Sequence, residues 1–317
     1  MKEEVTVGMA DSVESKIENA LNSYMKLFPE QSSSESTRKN YRGYVGKFLT
    51  WHYNIYPAVE LGDIPWDELR EYNTYQGEVC GLKGNTIDQH MSAIHRFFEG
   101  VLERSWNRSA VPRTFYEQFI REVPDDHEVR LIISHAACPR DALLYSLLAT
   151  SGLRLSEAVH VRYGDILDNR TTLYVGPSKN HQDRLVPLEA GFIEALIKYY
   201  RTLKNHPSKE DLIFASPQSR KDGEPITEAA VQRAMKKVVD AVNLGDKEFT
   251  PHSLRYYFGT EQYASGMSLE DLAVLMGHKR VTSTMLYARM GAVRRYRREH
   301  ADMFANKVFA GLTLGGL

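Results

Sequence analysis

Thr171-Thr-Leu-Tyr-Val-Gly-Pro-Ser-Lys-Asn-His-Gln-Asp-Arg-Leu-Val-Pro-Leu188 is the stretch that sets the fold class. Two short runs, 171–175 and 184–188, flank a polar turn from Gly176 to Asp183. Apolar and β-branched runs separated by Gly, Pro, Ser, Asn and Asp predict a β-hairpin. On either side the patterns are helical: about 127–136 and 140–150 before the hairpin, about 190–203 and 227–242 after it, then after His252 and Ser268. A hairpin set among helices predicts a mixed α/β domain over 125–317, in a chain that is mostly α with a small β-sheet.

Further upstream the chain reads as helix alone. Asp11 to Phe28 places Val13, Ile17, Leu21, Tyr24 and Phe28 at helical spacing. Ser36 or Thr37 is placed to cap a second helix, with Tyr41, Tyr44, Val45, Phe48, Trp51 and His52 along one side. A third helix is expected around 65–79, with Pro65 at its start, where a missing amide costs nothing. A fourth follows from Asn85, with Ile87, Met91, Ile94, Phe97, Phe98 and Val101 as its apolar stripe. Such stripes read as core, so 11–107 is expected to be an all-helical domain. Arg104–Pro124 has mixed charge, two prolines and weak periodicity, and 108–124 reads as a linker.

Composition sets bounds on function. At 317 residues, 42% hydrophobic and 26% charged, the chain has room for two domains of ordinary globular make-up. It contains no apolar run of the ~18 residues that a membrane span needs. Met1-Lys-Glu-Glu lacks the apolar core of a secretory signal. Cys80 and Cys138 lie far apart and form no metal-ligand pattern. A cytoplasmic, reduced protein without metal or cofactor is expected. The formal net charge of −1 divides into −4 over 1–124 and +3 over 125–317. Lys279, Arg280, Arg289, Arg294, Arg295, Arg297 and Arg298 follow one another with no acid between Asp271 and Glu299, which alone reads as a solvated helix face. Composition permits DNA binding without arguing for it.

The chemistry-bearing residues lie around the hairpin. Arg154 sits in Thr150-Ser-Gly-Leu-Arg-Leu-Ser-Glu-Ala158, at a turn before a helix that Ser156 is placed to cap. Lys179 lies in the hairpin turn. His252 and Arg255 are one helical turn apart in Thr250-Pro-His-Ser-Leu-Arg255, so both can point the same way. In Ser268-Leu-Glu-Asp-Leu-Ala-Val-Leu-Met-Gly-His278, Ser268 and Asp271 resemble a capping box, and Gly277 suits a left-handed helix end. That puts His278 just beyond a helix C-terminus, facing away from the core, with Tyr287 nine residues later. Each has an ordinary explanation alone: ion pair, solvated turn, helix cap, amphipathic core. Together, two arginines, two histidines, a lysine and a tyrosine suit attack of a phenol on a phosphodiester. Guanidinium groups hold the non-bridging oxygens in bidentate fashion, a preorganised donor cage stabilises the developing charge, and a lysine protonates the leaving oxygen.

The order and spacing resemble the tyrosine recombinases, the phage integrases and Xer-type recombinases. Their pattern is an arginine in T-G-L-R-x-S-E, a hairpin lysine before R-x-V-P-L, then H-x-L-R, then L-G-H and a tyrosine nine residues on. This chain shows Ser151-Gly-Leu-Arg154 with Glu157, Lys179 ahead of Arg184-Leu-Val-Pro-Leu188, His252-Ser-Leu-Arg255, Leu275-Met-Gly-His278 and Tyr287. Thr37, Tyr41, Phe48 and Trp51 resemble the stripe of the family's core-binding domain.

The resemblance implies an N-terminal helical core-binding, SAM-like domain and a C-terminal catalytic domain that clamp double-stranded DNA. It implies that Arg154, His252, Arg255 and His278 bind the scissile phosphate, that Lys179 is the general acid, that Glu157 orders the site and that Tyr287 forms a 3′-phosphotyrosyl bond. It further implies a tetramer on two DNA sites, a metal- and ATP-independent, nucleoid-associated integrase or recombinase of the kind mobile elements carry, and a C-terminal tail in which Met303, Phe304 and Phe309 dock on the adjacent subunit, the alternative being a tail that folds back on its own domain. The alternatives weighed beside it are a type IB topoisomerase-like relaxing enzyme and a catalytically idle DNA-binding protein of the same fold. The DNA target and any accessory proteins are not legible in the sequence.

Overall fold

The structure is a computed structural model that describes residues 2–28, 35–111, 122–167, 171–176, 183–203, 206–216 and 223–307, with side chains described from residue 13 to residue 300. The chain divides into two compact units, 1–119 and 120–317.

The first unit contains α1 (Lys2–Met25), α2 (Glu35–Ile55), α3 (Trp66–Glu78) and α4 (Gly84–Gly100). The aromatic stripes form its core: Tyr24, Phe48, Leu49, Ile94, Phe97 and Phe98 are fully buried. Their rings meet edge to face, Tyr24 with Phe97 at 5.7 Å and Phe48 with Tyr72 at 5.1 Å, the arrangement ring quadrupoles favour. The buried Tyr24 hydroxyl donates to the Ala93 carbonyl at 2.9 Å. His52 is buried with its partners: Nδ1 pairs with Glu68, and Nε2 meets the Val59 carbonyl at 2.9 Å. Two boundaries differ from the sequence reading. The first helix begins well before Asp11, and Pro65 stands one residue outside α3, in extended conformation, as its N-cap.

The second unit is built on α6 (Pro139–Ser151), whose Leu144, Tyr145, Leu147 and Leu148 are buried. It packs against α5 (Asp126–Ser134), α8 (Ala190–Arg201) and α10 (Pro251–Ala264). α5 starts with a complete capping box, Asp125 accepting from the Glu128 amide and Glu128 accepting from the Asp125 amide, both at 2.9 Å. β1 (Thr172–Val175) and β2 (Arg184–Pro187) form the expected antiparallel hairpin, with Leu173 opposite Val186 and Val175 opposite Arg184. Alternation turns Leu173, Val175, Arg184 and Val186 inward and leaves Tyr174 and Leu185 exposed. The remaining helices are α7 (Leu155–Ala158), α9 (Glu228–Val242), α11 (Leu269–Met276) and α12 (Met285–Lys307).

α10 and α12 pack closely because glycines line the seam. A Cβ on Gly259 would lie 2.8 Å from the Tyr287 ring, and one on Gly291 would lie 2.9 Å from the Thr260 carbonyl oxygen. The arginine run on α12 is not a uniformly solvated face. Arg294 and Arg298 both pair with Glu261 on α10, and Arg294 Nη2 also donates to the carbonyls of Val123 and Pro124 at 3.1 and 2.9 Å. Arg295 bonds the Tyr263 carbonyl and lies over its ring. No described helix is long and apolar enough to cross a membrane. Lys179, residues 112–121 of the linker and Phe309 lie outside the described residues, as do the side chains of Met303 and Phe304.

Candidate active site

The site gathers at the C-terminal end of α11. Ser268 Oγ accepts from the Asp271 amide at 3.0 Å and donates to the Asp271 carboxylate at 2.7 Å. The reciprocal arm of a capping box is not made; the Asp271 carboxylate is taken by the Ser268 hydroxyl instead of the Ser268 amide. At the other end Gly277 adopts φ +64, a left-handed conformation that glycine enters without strain. A Cβ there would also lie 2.8 Å from Arg184 Nη1. This turn delivers three acceptors to nearby arginines: the carbonyls of Leu275, Met276 and Gly277 receive Arg184 Nε at 2.8 Å, Arg255 Nη2 at 2.6 Å and Arg154 Nη2 at 2.8 Å. Cations at a helix C-terminus complement the carbonyls left unpaired there.

Glu157 joins two of these arginines. Its Oε1 accepts from Arg154 Nη1 at 2.9 Å and Arg184 Nη1 at 3.0 Å; its Oε2 accepts from the Arg154 amide and Arg184 Nη2, both at 2.8 Å. Burial by itself would raise this carboxyl, but the bonds from Arg184 and the Arg154 amide, with both guanidinium charges, hold it down at about 2. α7 therefore begins at Leu155, with Arg154 as the residue before it, and the cap comes from Glu157 rather than from Ser156.

Arg255 is buried at 1% exposure in the middle of α10. It joins the ends of α6 and α11 by donating to the Gly152 and Met276 carbonyls. It also meets His278 Nε2 at 2.9 Å. A guanidinium has no acceptor, so Nε2 must accept; the His278 proton then sits on Nδ1, which donates to the buried Thr284 Oγ1 at 2.8 Å. Burial, then the charges of Arg255, Arg154 and Arg184, push His278 down to about 4. It is a neutral imidazole.

Tyr287 stands in the first turn of α12, 4% exposed. Burial raises the phenol, and the charges of Arg255 and Arg154 oppose that rise. Burial lowers Arg255 itself to about 10. The His278 ring lies parallel to the Tyr287 ring, and Tyr256 is the other ring neighbour of Tyr287, at 5.5 Å between centroids.

Of the residues singled out in the sequence, Arg154, Glu157, Arg255, His278 and Tyr287 meet in this cluster. His278 is half-buried and turned into it, not away, because the arginine fan and Thr284 fix both ring nitrogens. His252 is exposed, one turn before Arg255; its ring lies 4.8 Å from that of Tyr256, and it lines an open concavity with Arg154, Lys236 and Lys247. Lys179 lies outside the described residues. The sequence reading passed over Arg184 and Thr284. Arg184 had a legible signal, a charge at an inward-facing strand position, whereas Thr284 had none.

Two family models match the chain: the phage integrase family over residues 123–292, and the phage integrase N-terminal SAM-like domain over residues 19–108. The tyrosine recombinase XerA of Thermococcus onnurineus is 30% identical over 210 residues, covering 65% of this chain and 70% of that protein. A lambda integrase dimer bound to a core site has a similar fold, with TM-score 0.68 and 22% identity over 85% of this chain and 76% of that one. A lambda integrase tetramer bound to a Holliday junction gives TM-score 0.67 and 22% identity, over 84% of this chain and 78% of that one. The first match spans more than half of the chain and contains every residue of the cluster, so the chain belongs to the phage integrase family and is a tyrosine recombinase.

Proposed function

We propose that this recombinase cuts duplex DNA at a specific site through a 3′-phosphotyrosyl link to Tyr287 and exchanges strands between two such sites. The observation that carries the reading is the buried Tyr287 ring stacked on His278, beside the turn where Arg154 and Arg255 converge. A scissile phosphate placed beside the phenol offers Arg154 and Arg255 two non-bridging oxygens to bind. His278, a neutral donor and acceptor fixed beside the phenol, and His252, at the open side, complete the phosphate site. Lys179 donates a proton to the departing 5′ oxygen. The P–O bond lost to DNA is replaced by one to tyrosine, so a 5′ hydroxyl of the second strand reverses the attack without ATP.

The 11–107 unit is proposed to bind one side of the duplex and the 125–317 unit the other, joined through 108–124. Strand exchange requires four active tyrosines on two DNA sites, hence a tetramer of this chain, with the tail helix docked on a neighbouring subunit. The lambda integrase tetramer on a Holliday junction supports that assembly by analogy of fold. The test is incubation with two labelled duplexes carrying one site each. Four-way junctions and recombinant strands support strand exchange; relaxation of supercoiled DNA without junctions would support the topoisomerase reading.

A further inference from the structure

We propose that Arg184 is a positioning residue that keeps Glu157 from neutralising Arg154, so that a net positive charge remains for the scissile phosphate. The inference rests on the phosphate-binding role given to Arg154 above. The motif places an arginine at 184 without giving it a role; the structure brings it to Glu157.

Glu157 is buried, with 4% of its side chain exposed, and faces Arg184 with 5% exposed. Arg184 engages both carboxylate oxygens in a fork, at 3.0 and 2.8 Å, while Arg154 reaches one oxygen through its side chain, at 2.9 Å. With the Arg154 amide on Oε2, each oxygen accepts two bonds and the carboxylate is saturated. One negative charge therefore lies between two positive ones. The surplus falls on Arg154, whose side chain is 26% exposed and which lines the same concavity as His252. Without Arg184, the buried carboxylate has Arg154 as its sole guanidinium partner. Arg154 would then close on it as a fork, and the pair would carry no net charge toward DNA.

Position adds to the argument. Arg184 hangs from β2, five residues after Lys179, and its Nε bonds the Leu275 carbonyl at the turn leading to His278. One side chain thus ties the hairpin, the start of α7 and the end of α11. The contact with Gly277 is so close that no Cβ fits between them.

The experiment measures single-turnover adduct formation on a nicked suicide duplex at saturating protein, beside single-site DNA affinity. Arg184→Met is expected to form adduct more slowly by about tenfold or more, within the range of coupling between contacting charged groups. Its single-site affinity should stay close to that of the unaltered protein. Arg184→Met/Glu157→Gln is expected to recover most of the lost rate, because no carboxylate remains to neutralise Arg154. Should Arg184→Met fail to fold, Arg184→Lys serves: it keeps the charge, loses the fork, and should show a smaller loss that Glu157→Gln again relieves. An unchanged rate in folded Arg184→Met, or a loss that Glu157→Gln leaves in place in either background, overturns the proposal. Failure of the unaltered protein to form any adduct overturns the phosphotyrosyl reading instead.

Discussion

The rings of His278 and Tyr287 lie parallel, 7° between planes and 5.9 Å between centroids, and His278 is held there by Arg255 at Nε2 and Thr284 at Nδ1. Tyr287 and its neutral neighbour are thus set side by side before any DNA is present.

The neutrality of His278 has a pH signature. Its folded value is about 4, whereas an unfolded imidazole titrates near 6.5. Between those values the folded protein binds fewer protons, so stability is lost as pH falls, by at most about 1.4 kcal/mol per pH unit. His90 is also lowered by burial and adds to the same trend, so the comparison must be with a variant. Thermal melting of the unaltered protein should weaken more between pH 7 and pH 5 than that of His278→Asn. Parallel curves for the two proteins contradict the neutral assignment.

Gly259→Ala tests the seam that seats Tyr287. The new methyl would stand 2.8 Å from Tyr287 Cγ and Cδ1 and 3.1 Å from Met276 Sδ. Overpacking of this kind costs about 1–3 kcal/mol, and the ring has to shift. Melting and adduct formation should both fall, with DNA affinity spared. Wild-type adduct rates would show that the ring position is not critical.

Arg294 is expected to act inside the fold rather than on DNA, because it is spent on Glu261, Val123 and Pro124. Arg294→Gln should lower stability by about 1–3 kcal/mol through the partners left behind. The dependence of log Kd on log salt should not change. A slope reduced by about 0.9, the value of one lost phosphate contact, assigns Arg294 to the DNA interface instead.

Lys179→Ala should slow cleavage by about 10²–10⁴-fold, as loss of a general acid does. A substrate with sulfur at the 5′ bridging position, whose thiolate leaves unprotonated, should regain most of that rate. Equal impairment on the sulfur substrate removes Lys179 from the acid role.

What the sequence made legible was what local periodicity and capping control. The hairpin at 172–187, the αL stop at Gly277 and the helices after His252 and Ser268 follow from turn chemistry and apolar spacing. The order of the polar residues carried the family. What stayed hidden depends on contacts across the chain. Ser156 looked like a cap, but Glu157 reaches back to the Arg154 amide first. The α12 arginines looked like a solvated face, yet Glu261, more than thirty positions away, binds two of them. Arg184 read as an ordinary strand residue until Glu157 and Leu275 were brought against it.

The most direct test of the account is to trap the covalent complex on a nicked suicide duplex, digest it, and map the modified residue by mass spectrometry. The account predicts a nucleotide-bearing peptide modified at Tyr287, and a Tyr287→Phe variant that binds the duplex but forms no adduct. An adduct that persists in Tyr287→Phe, or that maps to Tyr257 or Tyr263, contradicts it.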